Sequence, residues 1–184
     1  VLELINRGAS ATAFHETLEN YVTVEIFSKL SAEQKRVLSV LSIFREPVSI
    51  DALAEQNLDI DTLDSLVEQG LARQVDSEIY DVHDLIREFL LRSIDDQTKF
   101  DLHAKCSNWY KKSSQTPGYT IELIFHLLSS DNMAEAASLI VEDGRTLISQ
   151  GHMELLGLIG SITLDDIPQD MLANILQFKG EILS

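Results

Sequence analysis

"EIYDVHDLIREFLLRSI", residues 78–94, changes period in its middle. Ile79, Asp81 and Val82 read as a strand. Leu85, Ile86, Phe89, Leu90 and Ile94 recur at helical spacing. The polar pair His83-Asp84 falls at the join. Asp84 lies in what the spacing makes the first turn of a helix, where free N–H groups favour a carboxylate. Two readings stay open on the residues alone: a helix cap with His83 packed beside it, or a site.

Upstream of this join the pattern is helical. Ser31-Ala-Glu-Gln34 has the form of a capping box, in which the Ser oxygen takes one orphan N–H and the Gln side chain reaches back to another. Val37, Leu38, Leu41 and Phe44 then make one face, and Pro47 stops the helix. A short helix is expected from about Ser49 with Leu53 inward. A third is expected over 60–69, with Ile60, Leu63, Leu66 and Val67 on one side and Gly70 as its left-handed terminator. "LARQV" (71–75) and "EIYDV" (78–82) flank Asp76-Ser77 and read as a hairpin. Three helices, a hairpin and a further helix are the order of a winged helix-turn-helix.

In a DNA-binding member the third helix would enter the groove. Its exposed positions here are Asp61, Asp64, Ser65 and Glu68, preceded by Asp59, and it holds no Lys or Arg. The hairpin adds Asp76, Glu78 and Asp81 against Arg73 alone. The whole chain of 184 residues has 30 acidic and 14 basic side chains, a net charge of −16. Phosphate contacts from Lys and Arg carry most DNA affinity, so DNA binding through this face is disfavoured.

Past residue 96 the β-type signal disappears. Phe100, Leu102, Cys106, Trp109 and Tyr110 pattern a long helix, and "SSQTPGY" (113–119) is a Pro-Gly turn. Ile121, Ile124, Phe125 and Leu128 follow as another helix. "SSDN" reads as a cap for a helix with Met133, Ala136, Ala137 and Ile140, closed by Gly144. Shorter helices fit 145–150 and 152–162, and Pro168 opens a last one. Hairpins of similar size with small residues at the crossings suggest a helical-repeat superhelix; an irregular helical bundle is the alternative. At the other end, residues 1–8 read as a helix closed by Gly8. Phe14, Leu18, Val22, Ile26 and Phe27 read as a connector helix. The domain reading is therefore 1–28 connector helices, 29–95 winged helix and 96–184 helical repeat. Residue 1 is Val, the first Met is Met133 and the last residues read as mid-helix, so a segment of a longer protein is expected.

The remaining constellations offer little chemistry. The glycines never form a phosphate-cradling loop ending in Gly-Lys-Ser/Thr. His103 and Cys106 lie one helical turn apart, but zinc needs three or four ligands and no second pair is spaced to join them. No base is nominated for Cys106 as a nucleophile, and as the single cysteine it precludes an internal disulfide. Asp95-Asp96 and Asp165-Asp166 suit helix starts. His126 and His152 show no recognisable partners. The chain has no run long enough for a membrane span and no visible signal peptide. A cytoplasmic, non-enzymatic segment is expected, with no cofactor or metal of its own.

"VHDLIREFLL" (82–91) resembles the Met-His-Asp motif of NB-ARC and related signal-transduction ATPases with numerous domains (STAND proteins), with Val82 in place of Met. "VTVEIFSKLSAEQKRVLSVLSIF" (22–44) resembles the linker and first winged-helix segment of large ATP-dependent regulators similar to the bacterial maltose-regulon activator. "LHAKCSNWYKKS" (102–113) resembles their Leu-His…Trp-Tyr helix, and "IELIFHLLSSDNMAEAASLIVEDG" (121–144) their first repeat. The resemblance covers about residues 18–180. It implies a TPR-like (tetratricopeptide-like) superhelix after the winged helix, and an ATPase module before it that supplies ATP or ADP. It implies that His83 senses the nucleotide β-phosphate while Asp84 steadies the arrangement. The implied partners are that module in cis and a protein or small-molecule effector on the repeats. The function it implies is a regulatory switch and sensor. The alternatives are a DNA-binding winged-helix transcription regulator and a plain helical-repeat scaffold.

Overall fold

The capping box at Ser31 forms as its residues dictate. The Gln34 N–H donates to the Ser31 hydroxyl at 3.1 Å, and the Ser31 N–H donates to the Gln34 side chain at 2.9 Å. It starts α1 (Ala32–Ile43) in a computed structural model that describes residues 26–113, 116–162 and 169–183. The expected helix over 1–8, the expected connector helix up to residue 25, the Asp165-Asp166 pair and Pro168 lie outside the described residues. The chain divides into two units, Val1–Asp95 and Asp96–Ser184.

In unit 1, α1 is followed by β1 (Val48–Ser49), α2 (Ile50–Ala54), α3 (Ile60–Glu68), β2 (Ala72–Asp76), β3 (Ile79–Val82) and α4 (Asp84–Ser93). A 3-10 turn at Phe27–Lys29 precedes them. The strands form an antiparallel sheet in the order β1-β3-β2, so the hairpin gains a third, two-residue strand that short alternation could not reveal. Val48 pairs with Tyr80, and Ala72 pairs with Val82. The β2–β3 register slips between Gln74 and Asp76, which makes a bulge of Val75. Gly70 ends α3 at φ +70°, a left-handed turn only glycine adopts without strain. Val37, Leu38, Leu41, Phe44, Leu53, Leu63, Leu66, Val82 and Leu90 form the core. Ile60, expected inward, is 45% exposed because it sits in the first turn of α3, ahead of the buried Leu63 and Leu66. Leu85 is exposed for the same reason on α4, where Leu90 is the buried residue.

Unit 2 is helical throughout its described residues: α5 (Asp96–Lys112), α6 (Pro117–Ser129), α7 (Met133–Ser149), α8 (Glu154–Ser161) and α9 (Gln169–Leu183). Thr116 caps α6, with Pro117 in its first turn. The α6–α7 connection is not the cap expected of "SSDN". Asp131 takes a left-handed φ of 56°, and the Asn132 side chain donates back to the Ser130 carbonyl at 2.9 Å. Ile121, Ile124, Ala137, Ile140, Leu147, Leu155, Ile159, Ile175 and Phe178 pack as one core. Phe100 lies outside it, 40% exposed.

Gly144 does not close its helix, since α7 runs through it to Ser149. A glycine can persist in a helix despite its propensity cost when a neighbour needs the space. Here the neighbour is the Phe178 ring of α9. A Cβ at position 144 would lie 2.6 Å from Phe178 Cζ. Phe178 is itself buried, so the ring has little room to retreat.

Gly144→Ala gains roughly 1 kcal/mol of helix propensity but overpacks the α7–α9 contact, for an expected net loss of about 1 kcal/mol. A double-mutant cycle in denaturant checks the cause: Phe178→Leu should cost less on top of Gly144→Ala than in the native chain. Strictly additive costs would mean that the ring does not occupy the notch.

Candidate functional site

The β3–α4 join is built on Asp81. Alternation puts the side chain of this strand residue on the face opposite the fully buried Val82, yet it is only 5% exposed. An ionised carboxylate in such a place needs partners at each of its lone-pair directions. Asp81 has four. Its Oδ2 accepts from Arg73 Nε at 3.1 Å and from Arg73 Nη2, a forked contact from β2. Its Oδ1 accepts from the Val82 N–H at 2.8 Å and from Arg87 Nη2 on α4. Arg87 Nη1 reaches on to the Leu41 carbonyl of α1 at 3.4 Å. One carboxylate thus fastens both hairpin strands to α4, and through Arg87 to α1. Asp81 is therefore no part of an open acidic wing, as the alternation alone suggested, and Arg87 carries a role that helical spacing did not signal. The hydrogen bond and charge of Asp81 hold the Arg73 guanidinium above its ordinary value, and the Asp84 charge adds to this.

Immediately beyond that node the chain turns outward. Val82, the residue in the Met position of the motif, is fully buried and pairs with Ala72. His83 is the N-cap residue of α4 (φ −58°, ψ 137°), and its carbonyl receives the Arg87 N–H at 2.9 Å. Its imidazole is exposed and makes no capping hydrogen bond. Asp84 stands exposed in the first turn. The two predicted site residues are adjacent on the surface, and the charge of Asp84 is felt by Arg73. On the far half of the same helix, Phe89 meets Phe27 of the entry turn edge-on at 5.3 Å, and Lys35 lies 5.4 Å over the Phe27 ring.

The acidic face of α3 is as exposed as its sequence indicates. Asp61, Asp64 and Glu68 all point to solvent, and Asp59 caps the helix by accepting the Thr62 N–H at 3.0 Å. The Thr62 hydroxyl bond is the main reason the Asp59 carboxyl titrates below its ordinary value.

In unit 2, Cys106 is completely buried and its thiol is pushed up to about 12, which leaves it inert as a nucleophile. His126 on α6 and His152, which the sequence left without partners, both have one: Nδ1 of His126 lies 2.9 Å from Nδ1 of His103, and His152 Nδ1 lies 3.1 Å from Glu154. A separation of 23 residues hid the first pairing from sequence spacing. No group of three metal-ligating side chains occurs among the described residues. Two clefts open on the helices. One, about 290 Å³, is lined by Thr120, Asp143, Thr146 and Gln150; the other, about 180 Å³, by Val141, Arg145, Asn174 and Gln177. Among the described residues no helix is long and apolar enough to cross a membrane.

The fold is similar to that of a solved signal-transduction ATPase with numerous domains, a STAND protein with a tetratricopeptide repeat sensor from Pyrococcus horikoshii. The TM-score is 0.66 at 24% identity, over 78% of this chain and 23% of that one. The chain therefore spans under a quarter of that protein's length. No family model and no curated protein matches the chain.

Arg87→Met leaves Asp81 short of a buried partner and is expected to destabilise unit 1 by about 3–5 kcal/mol in urea unfolding. Arg73→Met, at a side chain 51% exposed, should have a smaller effect that added salt reduces. Equal losses for the two would contradict the burial asymmetry.

Proposed function

We propose that this chain is the switch-and-sensor portion of a STAND-type signalling ATPase. Unit 1 would be a winged helix-turn-helix acting as the switch, and unit 2 the start of a TPR-like array acting as the sensor. The order α1-β1-α2-α3-β2-β3-α4 supports the first identification, and the stacked hairpins supported by the similar fold favour the second. The observation that carries the reading is the contrast at the β3–α4 join. Asp81, Val82 and Leu90 are locked inside, while His83 and Asp84 between them are exposed. The His83 side chain makes no capping hydrogen bond, and Asp84 stands in the first turn of α4.

In this reading an ATPase module in the longer protein supplies the nucleotide. Its ADP-bound state is gripped by His83, whose ring N–H donates to a phosphate oxygen, while Asp84 keeps its orientation. A switch of this kind works through differential affinity for two nucleotide states. An effector, protein or small molecule, would act through the repeats, and the location would be cytoplasmic. This chain would bind no nucleotide and catalyse nothing alone.

The carboxylate face of α3 argues against DNA as the partner. In the scaffold reading Asp84 would only favour the start of α4; the lack of a side-chain cap from His83 leaves the ring without that structural role.

His83→Ala should change the stability of this chain by less than about 0.5 kcal/mol, as an exposed substitution. In the longer protein carrying the nucleotide module, it should speed ADP release and raise basal output. Unaltered ADP retention in a well-folded variant would reject the sensing role. Purified chain should also leave the fluorescence anisotropy of a short DNA duplex unchanged at low salt. A rise that salt abolishes would favour the DNA reading instead.

A further inference from the structure

The first hairpin of unit 2 is closed by a contact that the signalling reading does not use. His103 of α5 and His126 of α6 face each other with Nδ1 atoms 2.9 Å apart and ring centroids 5.1 Å apart. His126 is fully buried and His103 nearly so. Tyr110 stacks on His126 at 5.4 Å and 23°, and Phe125 meets His103 edge-on at 5.4 Å. A separation of this size is a hydrogen bond, so one hydrogen lies between the two nitrogens.

That hydrogen restricts the chemistry of both rings. Two neutral imidazoles satisfy the contact only as unlike tautomers, one with its hydrogen on Nδ1 and the other on Nε2. A single added proton leaves an N–H···N bond in place. A second sets two N–H groups and two positive charges against each other inside the protein, where screening is weak.

The surrounding charges are of both signs. On α5, Lys99 stands one turn before His103 and adds positive charge, and Lys105 acts on Cys106. On α6, the nearest carboxylate along the helix is the buried Glu122, one turn before His126. On α7, Glu135 is held by Lys111 at 2.6 Å, while Glu142, Asp143 and Arg145 are exposed or partly so. The only charged residue of α8, Glu154, contacts His152 at 3.1 Å. Burial first, and Lys99 second, lower the His103 value to about 4.

We propose that the His103–His126 pair is an acid-sensitive latch on the α5–α6 hairpin, closed while the two rings share a hydrogen and released when both are protonated. The sign follows from the depressed value of His103. The folded form resists a proton that the unfolded form accepts at about 6.5, so the latch contributes fully above that pH. Its contribution falls as the pH drops from there towards about 4.

The test uses the whole chain with 15N-labelled histidine. At neutral pH, NMR should find one of the two rings in the Nδ1–H form and the other in the Nε2–H form. Hydrogen exchange should then show α5 and α6 losing protection together as the pH falls through that window. His103→Leu with His126→Leu removes both partners at once, which can be nearly neutral where removing one is not. This variant should hold the hairpin to a pH lower by about one unit. Two Nε2–H rings that titrate independently near the ordinary histidine value would overturn the proposal. So would loss of protection at the same pH in the variant and the native chain. If the variant does not fold, the tautomers of the native rings decide the matter alone.

Discussion

A carboxylate placed under a β-hairpin has to be neutralised where it lies, and in unit 1 that requirement organises everything around it. Asp81 accepts four hydrogen bonds, from one backbone N–H and two guanidinium groups. Arg73 belongs to β2 and Arg87 to α4, so the hairpin cannot separate from the helix without leaving a charge unpaired in the interior. The neighbouring core of Leu, Val and Phe side chains supplies the apolar burial. It would tolerate small rotations of α4; the ion cluster, with its fixed directions, would not. The ion cluster thus ties β3 to α4 alongside the apolar packing.

That anchoring leaves His83 and Asp84 exposed at the surface. A helix start is a common place for polar residues, and most of them satisfy orphan N–H groups. Here the first turn is anchored from beneath, by Val82 in the sheet and by the Arg87 N–H on the His83 carbonyl. The side chains of the pair are left to face outward. In the proposed switch, fold stability and signalling chemistry fall on different residues of one short segment: 81, 82 and 87 hold, 83 and 84 present. The turn at Phe27 rests on the same helix through Phe89, so α4 carries both that contact and the exposed pair.

Much of this was readable from residues close together in the chain. The Ser31 capping box, the hairpin strands, the Gly70 terminator and the acidic face of α3 all depend on near neighbours, and all are present. What escaped depends on distant partners. Asp81 alternates like a surface residue and becomes internal only because Arg73 and Arg87 converge on it. The signal available was an unusual one, an Asp inside an apolar strand followed six residues later by Arg. His126 pairs across 23 residues, and β1 is too short to show a period. Gly144 looks like a helix terminator because its reason, the Phe178 ring, lies on a later helix. His83 and Asp84 stand at the helix start where the change of period places them, and the role proposed for them needs a nucleotide module from the longer protein.

Among the described residues the sheet of unit 1 ends in β1 on one side and β2 on the other, and each is a poor edge for recruiting a strand. β1 offers only Val48 and Ser49. β2 is longer but is interrupted by the bulge at Val75, whose side chain is exposed. A kinked edge cannot keep register with a straight newcomer, and a two-residue edge gives it too little to hold. A bulge beside an exposed apolar side chain, such as Val75, is one of the devices that keep sheet edges from zipping together, so the irregularity of this small sheet works against edge-to-edge aggregation.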